Sequence, residues 1–216
     1  MIIPTAGRTT LARTLRSVRR QDRGDIEVVV VSDGDQPVAE RIARDEHWGA
    51  LRYLHGPRTG CWGNAQRMEG IRHASGDYLL FMDDDDVYRR GAFRRVRQAT
   101  SEHPDRVIIF RMRRFSGLQW RRPAIEPGEV SSQQYVVPNV PGKVGSWLTN
   151  DRYESDLDFI SETVALQGDP VWNRRVITTI EPLDWRDPGP WVRVRRDSWR
   201  AWLRIRTRLR GLLRST

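Results

Sequence analysis

Cysteine, lysine and long apolar runs are scarce in this sequence of 216 residues. Because Cys61 is the only cysteine, no disulfide can form within the chain, and a reducing compartment is permitted. No apolar run approaches the length of a membrane span, and the residues after Met1 carry no secretory signal, so we expect a cytoplasmic protein. Lys143 is the only lysine among 37 basic residues, which indicates a compositional bias rather than selection for anion recognition.

The formal charge of +9 is concentrated at one end of the chain. Residues 191–216 contain nine Arg and one Asp, or +8, which leaves +1 for residues 1–190. From Trp199 this basic tail is amphipathic, with apolar residues near helical spacing. Such a helix suits an anionic membrane interface, which would put the protein on the inner face of the cell membrane. Packing on the body or on a second subunit is an open alternative. Nucleic-acid binding is less favoured, because the sequence has no recognised module.

Strand-like and helix-like segments alternate through the first half of the chain. Apolar runs such as Ile26–Val31 and Tyr78–Met82 predict strands buried on both faces, and the segment Asn64–Ala74 predicts a helix. The alternation predicts an α/β fold with a mainly parallel, doubly wound sheet. We expect one domain over residues 1–190, with halves 1–115 and 116–190, and a tail over 191–216. Other predicted elements are strands at Met1–Pro4, Leu51–Leu54, Val107–Met112, Leu118–Arg121, Tyr135–Val137 and Arg175–Ile180 and helices from Leu11, at Val38–Trp48, at Ala92–Thr100 and at Glu154–Gln167.

Acidic side chains follow two of the predicted strands, at Asp33 and at Asp83–Asp86. We expect the two groups to lie one sheet position apart, at the edge where doubly wound sheets bind ligands. Four adjacent carboxylates repel one another, and Mg²⁺ or Mn²⁺ would offset their charge while binding substrate phosphates. The alternative is a solvated acidic turn that complements the N-terminus of the next helix.

Three blocks of the sequence together resemble family 2 glycosyltransferases. The stretch GIRHASGDYLLFMDDDD at 70–86 resembles the family signature "GI..A.GdYi.flDdDD". Upstream, Ile2–Arg8 resembles the opening "viPt.nR", and Val28–Gly34 resembles "vvvdDGs". The blocks come in the family's order and cover about residues 1–115. The resemblance implies a GT-A fold, in which the sheet is the middle layer of an α/β/α sandwich. It also implies sugar transfer with inversion from a nucleotide-diphosphate sugar.

The resemblance also assigns roles to individual residues. It makes Asp33 a contact to the nucleotide base, puts Asp83 near the ribose, and makes Asp85 the direct ligand of Mn²⁺ or Mg²⁺, supported by Asp86. Arg67 matches an Arg that would contact phosphate, and an exposed helix position is the alternative. The donor would be a UDP-sugar and the acceptor a saccharide or a lipid-linked sugar, in cell-surface polysaccharide or glycoconjugate synthesis. The full set of predicted donor-binding residues is Pro4, Thr5, Arg8, Asp33, Arg67, Asp83 and Asp84, with Asp85 on the metal.

An inverting transferase needs a general base that deprotonates the acceptor hydroxyl. The candidates in the second half are Asp151, Glu154, Asp156 and Asp158. Asp156 resembles the Asp of the family's "ED" motif at a helix start, with Ser155 in place of the Glu, and we predict it as the base. The alternative is that Asp156 only flanks the helix. Trp147 is a candidate for stacking on a sugar or for packing.

Other functions compete with sugar transfer. The segment Val28–Asp35 also fits the nucleophile loop of haloacid-dehalogenase-like phosphatases, which would make Asp33 a nucleophile and Asp35 its acid/base partner. Pro37 stands where that family has Thr or Val, and the block at 70–86 stays unexplained. A nucleotidyltransferase lacks support, because no "GxGTR" loop follows the first strand. The non-enzyme alternative is a catalytically silent GT-A domain that binds a nucleotide sugar or a partner at the membrane.

Overall fold

A computed structural model describes residues 1–114, 117–148 and 155–180. Strands and helices alternate through the first half, and strands predominate in the second. The strands are β1 Ile2–Thr5, β2 Val28–Asp33, β3 Leu51–Gly56, β4 Tyr78–Leu80, β5 Val87–Tyr88, β6 Ile108–Arg114, β7 Gly117–Gln119, β8 Tyr135–Pro138 and β9 Val171–Thr179. The helices are α1 Leu11–Arg19, α2 Pro37–Asp45, α3 Asn64–His73, α4 Ala92–Glu102 and α5 Ser155–Gln167, and Ser132–Gln134 forms a 3₁₀ turn.

The strands form two sheets that meet at β1. The first sheet is parallel, in the order β1-β2-β3. The second is mixed, in the order β4-β8-β6-β9-β5 with β7 beside β6, and only β6 and β9 pair in parallel. A bridge joins Ile2 to Phe81, and the Met82 amide donates to the Ile2 carbonyl at 3.1 Å. Through this bridge β1 lies between β2 and the segment that follows β4.

Successive strand residues point into two separate cores, as the period of a β-strand requires. Ile3, Val28 and Val30 belong to one core, together with apolar residues of α1, α2 and α4. Ile2, Leu79, Phe81 and Ile109 belong to the other, together with residues of α3 and α5. Helices therefore cover both faces of the sheet, which confirms the predicted three-layer α/β/α sandwich.

Helix α3 packs closely on β1 because it has a glycine at the contact. A Cβ built on Gly70 would lie 2.4 Å from Cγ2 of Ile2, far inside van der Waals contact. The contact fixes the height of α3 over the sheet, and α3 carries Gln66 and Arg67 to the edge where β1 and β2 end.

Most predicted elements are present, and two differences concern β5 and β9. β5 has two residues and was not predicted, and β9 begins at Val171 rather than Arg175. One expectation about the acidic residues is wrong, because β1 separates the strands that end at Asp33 and before Asp83. In the described ranges, no helix has the length and apolar character needed to cross a membrane. The predicted tail at 191–216 lies outside the described residues, so the division at residue 190 stays a prediction.

Candidate functional site

The four aspartates follow β4 at the carboxyl edge of the sheet and run directly into β5. Carboxylate oxygens of Asp83, Asp85 and Asp86 lie within 4.8 Å of one another, and we call these three the acidic cluster. Asp85 and Asp86 are almost fully buried, and Asp83 is half-buried. Three convergent carboxylates are hard oxygen donors of the kind that Mg²⁺ and Mn²⁺ prefer, so the cluster fits the predicted divalent cation.

Positive and amide groups of the protein offset the charge of the cluster. Arg8 Nη1 lies 2.9 Å from Oδ2 of Asp85, and Arg67 Nη2 lies 2.6 Å from Oδ1 of Asp83. The side-chain amide of Gln133 donates to Asp83 and to Asp86, at 2.9 Å each. Burial of several like charges is costly unless such partners are present, so these contacts keep the carboxylates together.

Asp84 is not part of the cluster and contacts the loop that follows β1. Its carboxylate accepts from the Thr5 hydroxyl at 2.7 Å, from the Ala6 amide at 3.3 Å and from Arg8 Nη1 at 2.8 Å. Burial raises the pKa of Asp84 to about 6, and neighbouring Asp85 adds to the rise while Arg8 opposes it. Asp84 therefore ties the loop after β1 to the segment after β4. The predicted contact of Asp84 with the nucleotide sugar stays a prediction, as does that of Thr5.

Asp33 organises the loop that leads into α3. Its Oδ1 accepts from the Thr59 amide at 2.7 Å and from the Gln66 amide group at 3.0 Å, and the Gly60 amide donates to Oδ2 at 3.2 Å. Asp33 is 8% exposed, and its predicted contact to the nucleotide base stays a prediction. The amides of Thr59 and Gly60 need an acceptor, and the carboxylate at the end of β2 supplies it.

Arg67 is buried in α3 and is not the exposed helix position that was the alternative. Besides Asp83 it donates to the Trp62 carbonyl at 2.8 Å, and its guanidinium lies 4.9 Å from the centre of the Trp147 ring. Trp147 is fully buried and stacks on Phe159 with ring centres 4.3 Å apart. Trp147 therefore packs in the core and does not offer a face to a sugar.

Asp156 lies in the first turn of α5 and contacts the segment before β8. Its Oδ2 accepts from the Ser131 hydroxyl at 2.9 Å and from the Ser132 amide at 3.0 Å, and its carbonyl accepts from the Tyr135 hydroxyl at 3.2 Å. Burial, with the charge of Asp156, raises the pKa of Tyr135 well above its ordinary value, so Tyr135 stays a neutral donor. Asp158 is on the same helix. Asp151 and Glu154 lie outside the described residues.

The structure brings the predicted donor-site residues to one edge of the sheet. Pro4 and Thr5 end β1 and are buried, and Gly63 packs on Pro4. The sequence did not point to Gln66 or Gln133, although each amide side chain contacts a predicted site carboxylate. A buried amide in a polar loop has no local sequence pattern, and only its partners distant in the chain reveal it.

Comparison with known proteins places the chain in a family. Residues 1–155 match the family model of Glycosyl transferase family 2. The chain is 25% identical over 178 residues to an uncharacterized glycosyltransferase of Haemophilus influenzae, which covers 74% of this chain and 60% of that protein. It is 29% identical over 111 residues to the Campylobacter jejuni GalNAc(5)-diNAcBac-PP-undecaprenol beta-1,3-glucosyltransferase, covering 47% of this chain and 34% of that one.

Solved structures share the fold. TarS of S. aureus (residues 1–349) superposes with a TM-score of 0.68 at 16% identity, over 82% of this chain and 58% of that one. The same protein in complex with UDP-GlcNAc gives a TM-score of 0.62 at 17% identity, over 82% and 56%. The chain thus spans 60% or less of the length of each of these relatives and structures.

Proposed function

Because the chain belongs to Glycosyl transferase family 2, we propose that it moves a sugar from a nucleotide-diphosphate sugar to an acceptor hydroxyl, with inversion and with a divalent cation at the acidic cluster. The observation that carries the proposal is that neighbouring residues of α3 contact both acidic groups at the strand ends, since Gln66 donates to Asp33 and Arg67 pairs with Asp83 of the acidic cluster. Family membership favours this function over the phosphatase considered from sequence.

The donor side rests on two sets of contacts. Asp33 and the loop it organises would receive the nucleotide base, and the acidic cluster would hold the cation, with Asp85 as its direct ligand. A bound cation supplies positive charge to the departing nucleotide diphosphate. Arg67 and Arg8 hold Asp83 and Asp85 in fixed orientations before the donor arrives. Solved structures of TarS with UDP and with UDP-GlcNAc support a UDP-sugar as the donor.

On the acceptor side, Asp156 would act as general base. Its carboxylate takes the proton of the acceptor hydroxyl while the acceptor oxygen attacks the anomeric carbon. The bond from that carbon to the phosphate oxygen breaks on the opposite face, and the electron pair leaves with the nucleotide diphosphate. Ser131 and the Ser132 amide hold Oδ2 of Asp156 in place, which orients the carboxylate for this step.

Replacing Asp156 with asparagine tests the assignment. Without the base, release of UDP from UDP-GlcNAc, with water or an added saccharide as acceptor, should fall about 10²- to 10⁴-fold, because general-base catalysis contributes that much. Binding of UDP with Mn²⁺, followed by calorimetry, should change little. Asp158→Asn is the matched control, since it removes the same charge two residues along α5. Unchanged turnover in Asp156→Asn, or an equal loss in Asp158→Asn, would contradict the assignment.

Two features support a proposal for the acceptor class. The Campylobacter relative is named for an undecaprenol-linked acceptor, which supports a lipid-linked saccharide in cell-surface polysaccharide or glycoconjugate synthesis. The basic tail at 191–216 would bring the protein to the membrane surface. The full chain should therefore sediment with anionic vesicles at low salt and stay in solution at high salt. Equal recovery with neutral vesicles would contradict the electrostatic attachment.

A further inference from the structure

The side chain of Gln133 lies between the acidic cluster and the acceptor side of the site. Its Nε2 donates to Oδ2 of Asp83 and to Oδ2 of Asp86, both at 2.9 Å, which uses both of its N–H groups. Its Oε1 accepts from the Ser131 hydroxyl at 2.9 Å. The opposite orientation of the amide would put an oxygen against two carboxylates, so the contacts allow one orientation only.

From Gln133 the hydrogen bonds continue to Asp156. The Ser131 hydroxyl that contacts Gln133 also lies 2.9 Å from Oδ2 of Asp156. A hydroxyl has one proton, so Gln133 and Asp156 share it, and a stronger bond to one weakens the bond to the other. Gln133 and Ser131 are 3% and 8% exposed, so water does not readily replace a lost partner.

The backbone around Gln133 is fixed independently of these contacts. The neighbouring Gln134 side chain donates to the Phe110 carbonyl at 3.0 Å, and the Thr178 hydroxyl donates to the Gln133 carbonyl at 3.3 Å. These bonds join the 3₁₀ turn to β6 and β9, the central strands of the second sheet. Gln133 therefore projects its amide from a rigid base.

We propose that Gln133 is a positioning residue that fixes the metal-binding carboxylates relative to the general base, through Ser131. The inference rests on the proposed function, which assigns metal binding to the acidic cluster and base catalysis to Asp156. Groups that orient metal ligands from behind matter to affinity, and their loss commonly weakens metal binding or activity about 10- to 100-fold. The same side chain reaches both halves of the site, so its loss affects donor binding and turnover together.

The test compares Gln133→Met with Gln134→Met, which removes an equally buried amide of the same size next to it. The probe is UDP with Mn²⁺, titrated by calorimetry, and UDP release from UDP-GlcNAc gives kcat. We expect Gln133→Met to weaken UDP–Mn²⁺ binding about 10-fold or more and to lower kcat. Gln134→Met should weaken UDP–Mn²⁺ binding less than Gln133→Met does, because the Thr178 hydroxyl still holds the turn at the Gln133 carbonyl and Gln133 keeps its own contacts. Equal binding by the two variants, or tighter binding by Gln133→Met, would overturn the proposal.

A second variant separates the two ends of the network and serves if Gln133→Met does not fold. Ser131→Ala should keep UDP–Mn²⁺ affinity and lower kcat about 10-fold, because Asp156 loses a hydrogen bond to a charged group. Ser131→Thr restores the hydroxyl and should recover kcat. In the double variant Gln133→Met/Ser131→Ala, the fold-decrease in kcat should be smaller than the product of the two single fold-decreases, because both changes break the same chain of hydrogen bonds.

Independent losses, or no recovery in Ser131→Thr, would show that Gln133 and Asp156 are uncoupled. Failure of the wild type to bind UDP or another nucleotide diphosphate with Mn²⁺ would instead overturn the proposed function, and the positioning role with it. The wild-type titration therefore distinguishes the two failures.

Discussion

Replacing Arg67 with methionine should destabilise the protein, because half-buried Asp83 would lose a cationic partner that is itself buried, although the Gln133 amide would still donate to it. Arg67 is 4% exposed and lies 2.6 Å from Asp83. Removing one member of a buried ion pair costs about 3–5 kcal/mol, since the remaining charge loses its counter-charge. For a chain of this size that corresponds to a fall in Tm of roughly 6–20 °C. Urea denaturation of the variant without ligand would measure the loss directly.

Helix α3 also contains an exposed ion pair with the same separation between nitrogen and oxygen, which serves as a control. Arg72 also lies 2.6 Å from its partner, Glu69, but Arg72 is exposed. Exposed pairs contribute about 0–1 kcal/mol, so Arg72→Met should have little effect. Adding Asp83→Asn to Arg67→Met should recover part of the loss, because the carboxylate that lost its counter-charge is then neutral. A loss below about 1 kcal/mol in Arg67→Met, or no recovery in the double variant, would refute this account of the buried pair.

Three further predictions concern pH, packing and the donor loop. The hydrogen bond from Arg97 lowers the pKa of Asp25, so this pair should stabilise the fold above the ordinary pKa of Asp and lose its effect as pH falls through the lowered value. Asp25→Asn should therefore flatten the dependence of the unfolding free energy on pH in that range, as measured by urea denaturation. An unchanged pH profile would contradict this prediction. Gly70→Ala should lower the unfolding free energy by about 1–3 kcal/mol, because the added methyl group would clash with Ile2. This loss should outweigh the higher helix propensity of alanine. A rise in Tm would contradict the close packing of α3 on β1. Asp33→Asn should weaken UDP–Mn²⁺ binding about 10-fold in calorimetry, because the backbone amides of residues 59–60 lose their charged acceptor. Unchanged binding would show that Asp33 does not contribute to the donor site.

The first half of the fold was predictable because its information is local. Continuous apolar runs such as Val28–Val31 are buried on both faces of the sheet, and each is followed by a helix at short range. The carboxylates at the strand ends could be located for the same reason. The order of the strands was less accessible, since the bridge from Ile2 to Phe81 joins residues far apart in sequence.

Other features of the fold and the site depend on contacts that no local pattern encodes. β5 has two residues and is held by β9, with Val87 opposite Thr179. Gln133 reads as one polar residue in a polar loop until Asp83 and Asp86 are brought beside it. The burial of Arg67 was likewise undecided, because α3 shows little difference between its faces in sequence and its neighbours decide which side is covered.

The most direct test of a metal-dependent donor site at the acidic cluster is calorimetric titration of UDP, GDP, CDP and ADP in the presence and absence of Mn²⁺. The measurement is made on the wild type, on Asp85→Asn and on Asp77→Asn, which removes the same charge from an exposed position just before β4. We expect that one nucleotide binds the wild type and Asp77→Asn only with Mn²⁺, and that Asp85→Asn loses this binding. Binding that ignores Mn²⁺, or survives equally in Asp85→Asn, would contradict it.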